Sequence, residues 1–180
     1  WKHSVKKRYV PAHTPNFALG MDARPTIERE RFLKADEMGR FLQAVERSPL
    51  RDFWMVLLLT GQRKSNVLSM AWDEVDIDEA IWRIPASKAK NKSGHTVPLV
   101  DEVLEILKRR MRELGVVDGQ GGVIEGHTVW VFPSEGSKTG HLVAPRKQWL
   151  KLLTDADLED LRIHDLRRTM GSWQAGRKES

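Results

Sequence analysis

The sequence predicts an α+β fold that is mainly helical, with one small three-stranded antiparallel sheet packed at its edge. Three observations predict it. Apolar residues recur at helical spacing in several segments from Leu33 onward. Between Glu74 and Leu99 the period changes to alternation, with turn residues between the runs. The chain has 180 residues, 40% hydrophobic and 31% charged, which suits one soluble globular domain with an arm.

Residues 1–30, punctuated by Pro11, Pro15, Gly20 and Pro25, carry no sustained period and read as a linker or arm. The domain proper is expected over 31–180. Met38, Phe41, Leu42 and Val45 fall on one helix face behind a cap at or near Asp36. "LRDFWMVLLLTG" (50–61) is apolar nearly all round, hence a buried helix, and Gly61 is its natural terminator. A short helix follows in "RKSNVLSMAW" (63–72). "EVDID", a turn at Glu79–Ala80 and "IWRIP" predict a hairpin, and "HTVPL" (95–99) adds a third strand after the polar loop "SKAKNKSG". "DEVLEILKRRMREL" (101–114) is an amphipathic helix with acids in its first turn and bases late, matching the helix dipole. A glycine-rich loop covers 115–127. "TVWVFPS" (128–134) predicts a short buried strand, and "APRKQWLKLLTDA" (144–156) a helix with Pro145 near its first turn.

No run approaches the roughly 18 apolar residues that span a bilayer, and no signal peptide pattern opens the chain. Cysteine is absent, so disulfides and thiolate chemistry are excluded, which suits the cytoplasm. The net charge is +5, and its distribution is uneven. Residues 1–34 hold eight Lys/Arg against three acids, whereas the remaining 146 residues carry 22 of each sign. An anion site in the body must therefore be built by placed side chains rather than by bulk charge.

Three segments could supply such side chains. Arg63 lies two residues past the glycine that ends the buried helix, a rigid base for a side chain suited to two-pronged binding of phosphate oxygens. Lys88, Lys90 and Lys92 alternate through the hairpin loop, where a lysine can contact phosphate or give a proton to a leaving oxygen. In "RIHDLRRTMGSW" (162–173), His164 and Arg167 stand three apart on one helix face, near an N-terminus whose free N–H groups favour anions. Arg168 points elsewhere, and Asp165 is placed to cap a neighbouring backbone group. Other chemistries lose support. "EGSKTGH" lacks the order of a phosphate-binding loop, the six histidines show no metal-ligand spacing, and no HExxH or G-x-S-x-G pattern occurs.

Taken in order, "TGQR" closing a buried helix, a lysine-bearing hairpin running into "HTVPL", and "IHDLRRT" about a hundred positions later resemble the tyrosine recombinases. More narrowly, the chain is similar to the catalytic domain of a phage or genomic-island integrase, over roughly residues 30–176. The resemblance implies integration or excision of a mobile element through a 3′-phosphotyrosine intermediate on double-stranded DNA, with neither metal nor ATP as cofactor. It implies that Arg63 and Arg167 grip the non-bridging phosphate oxygens and that His164 serves the same phosphate or the tyrosine proton. Lys90, eight residues before Pro98, is implied to protonate the departing 5′-oxygen, with Lys88 the alternative because hairpin tips vary in length. Lys88, Lys92 and Arg168 are further candidates for DNA contact. Asn66 stands where many relatives carry a glutamate; an amide there can orient Arg63 without supplying counter-charge.

The family's nucleophilic tyrosine is expected downstream of the H-x-x-R helix and is not found in this sequence. The sole tyrosine, Tyr9, lies in the basic arm and is read as a linker residue, and Trp173 as core packing. The chain therefore reads as a C-terminally truncated catalytic domain, incompetent for cleavage alone, whose complete protein acts as a homo-tetramer on DNA in the cytoplasm of a bacterium, at the nucleoid. The alternatives are a non-catalytic DNA-binding protein of the same fold and a type IB topoisomerase-like strand transferase.

Overall fold

The computed structural model describes residues 2–11, 13–16, 30–89, 93–116 and 128–176. In the arm, Lys2–Lys6 forms a short helix, α1, where an irregular linker is expected from the prolines further on. Tyr9, just after it, is 77% exposed.

The body begins at Arg31. Helix α2 (Ala35–Glu46) buries Met38, Phe41, Ala44 and Val45, the 3.6-residue stripe seen in the sequence. Its N-cap is Lys34, with Asp36 inside the first turn, and the Lys34 N–H donates to the Glu37 carboxylate at 3.0 Å. The acid that satisfies a free donor at this terminus is thus Glu37, three residues on, rather than Asp36. Helix α3 (Arg51–Thr60) buries Phe53, Trp54, Val56, Leu57 and Leu58 and ends at Gly61, whose φ of 58° is the left-handed conformation that closes a helix. Helix α4 (Lys64–Leu68) follows, then a 3₁₀ turn over Trp72–Glu74.

Strands β1 (Val75–Asp76), β2 (Ile81–Ile84) and β3 (His95–Pro98) form the antiparallel sheet in the order β1-β2-β3. Trp82 pairs with Val97, both buried, and Arg83 pairs with Thr96, both exposed, so alternation sets which face meets the core. Ile84 pairs with His95, which therefore lies on the body-facing side, at the rim. Helix α5 (Asp101–Glu113) packs on α3, α6 (Arg146–Asp155) on α2, and α7 (Asp165–Gly176) on α3. An aromatic cluster joins these layers: Trp54 lies 5.3 Å from Trp149 and 4.8 Å from Phe53, and Phe53 meets Phe132 at 5.5 Å. Burial of rings this size contributes about 1.5–3 kcal/mol each, enough to fix α3 as the spine of the domain.

Two expectations fail here. "TVWVFPS" is not a strand: it makes two isolated bridges, Ala71 with Trp130 and Pro133 with His141. The Val131 N–H donates to Met70 O and the Trp72 N–H to Val129 O, so the segment is tied to residues 70–72 for only two bonds. Pro133 then has no N–H to extend a ladder. Trp173 is not core packing either; it is 46% exposed on α7, where residues 171–175 all face outward. Among the described residues no helix is long and apolar enough to cross a membrane, and no cluster of His, Asp and Glu is arranged to hold a metal ion.

Candidate phosphate-binding site

The site is organised by the tripeptide 61–63, which lies between α3 and α4 and belongs to neither helix. Arg63 caps α4: its extended backbone (φ −63°, ψ 138°) lets its carbonyl accept from the N–H groups of Asn66 at 2.9 Å and Val67 at 3.2 Å. The Arg63 side chain is half-buried and has no hydrogen-bond or ion-pair partner among the described residues.

From 106 positions away, the Arg167 guanidinium donates to the Gly61 carbonyl at 3.1 Å. The two arginines singled out in the sequence are thereby joined to one turn. Helix α7 packs closely there: a Cβ at residue 61 would stand 3.3 Å from the Cβ and Cγ of Met170, tighter than ordinary contact. His164 sits immediately before α7, exposed, with its carbonyl accepting from the Arg167 N–H at 3.2 Å.

A buried acid sets this helix start. Asp165 is 0% exposed; its carboxylate accepts from the Arg162 N–H at 2.9 Å and from Arg168 Nη1 at 3.1 Å. Arg168 is therefore neutralised within its own helix turn, as its divergence from Arg167 in the sequence suggests. The Thr169 hydroxyl donates to Asp165 O and accepts from the Leu33 N–H, both at 2.9 Å, which ties α7 to the entry of the body. Arg167 has only a neutral carbonyl as partner, so its charge, like that of Arg63, meets no acid among the described residues.

The lysine hairpin divides differently. Lys88 is drawn inward: its ammonium pairs with the Glu74 carboxylate, donates to Ser69 O and lies 5.5 Å over the Trp130 ring. Glu74 also accepts from Trp82 Nε1 at 3.2 Å and from the Ala71 N–H at 3.3 Å. These contacts tie the base of the hairpin to residues 69–74. Lys90 and Lys92 lie outside the described residues. Asn66 is 2% exposed, and its Nδ2 has no hydrogen-bond partner among the described residues, so its amide is not seen bonded to Arg63.

Two contributors escape a reading of the sequence. His95 Nε2 lies 3.0 Å from Gln62 Oε1, joining β3 to the residue before Arg63, and Glu74 gathers Ala71, Trp82 and Lys88 around one carboxylate. The available signal for His95 was strand alternation, since it shares the inward face of Val97.

The sequence model of the phage integrase family matches residues 31–176, and the chain belongs to that family. It is 28% identical over 166 residues to the integrase of Salmonella phage P22, covering 85% of this chain and 39% of that protein. It is 29% identical over 143 residues to the prophage integrase IntF of Escherichia coli K12, covering 78% of this chain and 28% of that one. The chain thus spans well under half the length of these relatives. Among solved structures, it is similar to the Tn1549 transposon integrase in complex with a circular intermediate DNA (TM-score 0.64, 13% identity, 98% of this chain and 63% of that one). It is likewise similar to XerA recombinase (TM-score 0.62, 18% identity, 99% and 60%). The fold is that of a tyrosine recombinase catalytic domain.

Proposed function

We propose that this chain supplies the phosphate-binding half of a site-specific recombination centre that integrates or excises a mobile element in double-stranded DNA. The observation that carries the reading is the Arg167 bond to Gly61 O, which brings a second guanidinium to the turn that bears Arg63 while neither has an acidic partner among the described residues. A pair of unneutralised guanidiniums on one rigid turn suits a phosphodiester, whose two non-bridging oxygens accept from both.

The chemistry follows from that binding. A tyrosine oxygen attacks the scissile phosphorus and gives up its proton; the bond to the 5′-oxygen breaks, and that oxygen takes a proton and leaves. The 3′-phosphotyrosine conserves the bond energy, and attack by a 5′-hydroxyl reverses the step. Arg63 and Arg167 stabilise the extra negative charge of the pentavalent transition state. His164, one turn before Arg167, donates to the same phosphate or handles the tyrosine proton. Lys90 is assigned the leaving-oxygen proton, because the Lys88 ammonium is already engaged by Glu74 and Ser69. Lys92 and Arg168 are assigned as contacts to the DNA backbone, Arg168 through the donors that its Asp165 bond leaves over. The Tn1549 integrase and the XerH recombinase have both been solved with DNA, which supports the same partner here. On DNA, the whole protein is assigned a homo-tetramer.

The sole tyrosine of the 180 residues, Tyr9, is exposed in the arm, so this polypeptide by itself forms no covalent intermediate. The test is a nicked suicide duplex and a search for a covalent adduct. The 180-residue chain is expected to give none; extending it with a tyrosine-bearing segment downstream of α7 is expected to restore it. In that extended protein Arg63→Ala or Arg167→Ala should lower adduct formation by a factor of about 100 or more, the loss found when one transition-state donor is removed. An adduct on Tyr9, or full activity without either arginine, refutes the assignment.

A further inference from the structure

We propose that His95 is a positioning residue for the phosphate site, acting through Gln62 on the turn that carries Arg63; this rests on the strand-exchange reading above. Tripeptide 61–63 is bonded locally to the ends of α3 and α4, and two side chains from distant elements reach it as well. Helix α7 bonds Gly61 O through Arg167. From 33 residues along the chain, β3 reaches Gln62 through His95 at 3.0 Å.

The orientation of this second brace is chemically determined. Gln62 Nε2 donates back to Thr60 O at 3.4 Å, which turns Oε1 outward toward β3. An amide oxygen only accepts, so the proton between the two side chains sits on His95 Nε2. The register Ile84–His95 places the imidazole on the body-facing side of the sheet, at the rim beside the turn. Arg63 follows Gln62 directly, and its extended backbone makes the direction of its side chain depend on where residue 62 is pinned. The sheet edge and α7 therefore each hold a residue of the turn. Without His95, the Gln62 side chain loses its bond to the sheet, and the residue that precedes Arg63 is held only from the helices.

Two measurements on the 180-residue chain test this, with the variants His95→Ala, His95→Gln and His95→Asn. Glutamine keeps an N–H donor at nearly the reach of imidazole Nε2; asparagine falls one carbon short. The first measurement is amide hydrogen exchange at residues 61–63. The second is titration with inorganic phosphate, read at the Nε–H resonances of Arg63 and Arg167. His95→Ala and His95→Asn are expected to raise exchange at 61–63 about fivefold and to weaken phosphate binding at Arg63 about as much, the effect of one net hydrogen bond. Exchange inside α6 should not change, and His95→Gln should return both readouts to within about twofold of the native chain, a rescue that loss of bulk packing would not show. The proposal is overturned if His95→Ala leaves both readouts unchanged, or if His95→Gln is as impaired as His95→Ala. A native chain in which phosphate moves neither guanidinium, with the exchange pattern as expected, overturns the strand-exchange reading instead and reduces His95 to a brace of the fold.

Discussion

Gly61→Ala tests the junction on which the site is built. Residue 61 has φ +58°, where a side chain costs about 1–2 kcal/mol of backbone strain. A new Cβ also meets Met170 at 3.3 Å, at that residue's own Cβ as well as its Cγ, so α7 must give way by a few tenths of an ångström. Overpacking of this kind adds about 1 kcal/mol or more. The sum is about 2–4 kcal/mol, which in a chain of this length lowers Tm by roughly 5–15 °C. Gly115 supplies the control: its φ is +62°, but a Cβ there meets nothing within 4 Å among the described residues. Gly115→Ala carries the strain without the contact, and the gain from stiffening the unfolded chain is common to both variants. Urea unfolding of the two should therefore differ by about 1 kcal/mol or more, with Gly61→Ala the weaker. Equal losses would mean that α7 does not press on residue 61, and the argument for a shared arginine turn would lose its packing support.

Two further outcomes are expected. Arg31 grips Glu37 with both guanidinium nitrogens at 2.7 Å, and this hydrogen bond, with the charge of Arg31, holds the Glu37 carboxyl below its usual range. Its stabilisation is complete above the unfolded glutamate pKa of about 4.3 and is lost as pH falls through the lowered folded value. Glu37→Gln should thus cost about 1–2 kcal/mol in urea unfolding at neutral pH, with the gap closing in acid; a gap of constant size contradicts the assignment. In duplex DNA binding, log affinity should fall linearly with log salt, and Arg63→Ala should reduce the slope by about 0.9, one phosphate's worth of released counterions. A slope that the variant leaves unchanged would place Arg63 away from the backbone.

Much of this architecture was legible in the residues because its causes are local. Gly61 ends α3 for a steric reason visible in any sequence, and the apolar stripe of α2 and the alternation of β2 and β3 report which faces are buried. The errors arise where partners are distant. "TVWVFPS" has strand composition, yet its backbone bonds divide between residues 70–72 and 140–142, giving two isolated bridges in place of one ladder. Trp173 looks like core by its type, but only the geometry of α7 reveals that residues 171–175 face outward. The three lysines of the hairpin are equivalent in sequence, whereas only the structure shows that Glu74, fourteen residues earlier, pairs with the Lys88 ammonium. The Gln62–His95 contact has no periodic signature between its two ends, so no spacing rule reveals it.

The claim that Arg63 and Arg167 serve one phosphate is tested most directly by a double-mutant cycle on binding of a short DNA duplex. With Arg63→Ala, Arg167→Ala and the double variant, two guanidiniums on a common phosphate should show a coupling of about 1 kcal/mol or more, the second loss being smaller once the first is made. Effects that simply add, within about 0.5 kcal/mol, would place the two arginines on separate phosphates and contradict the account.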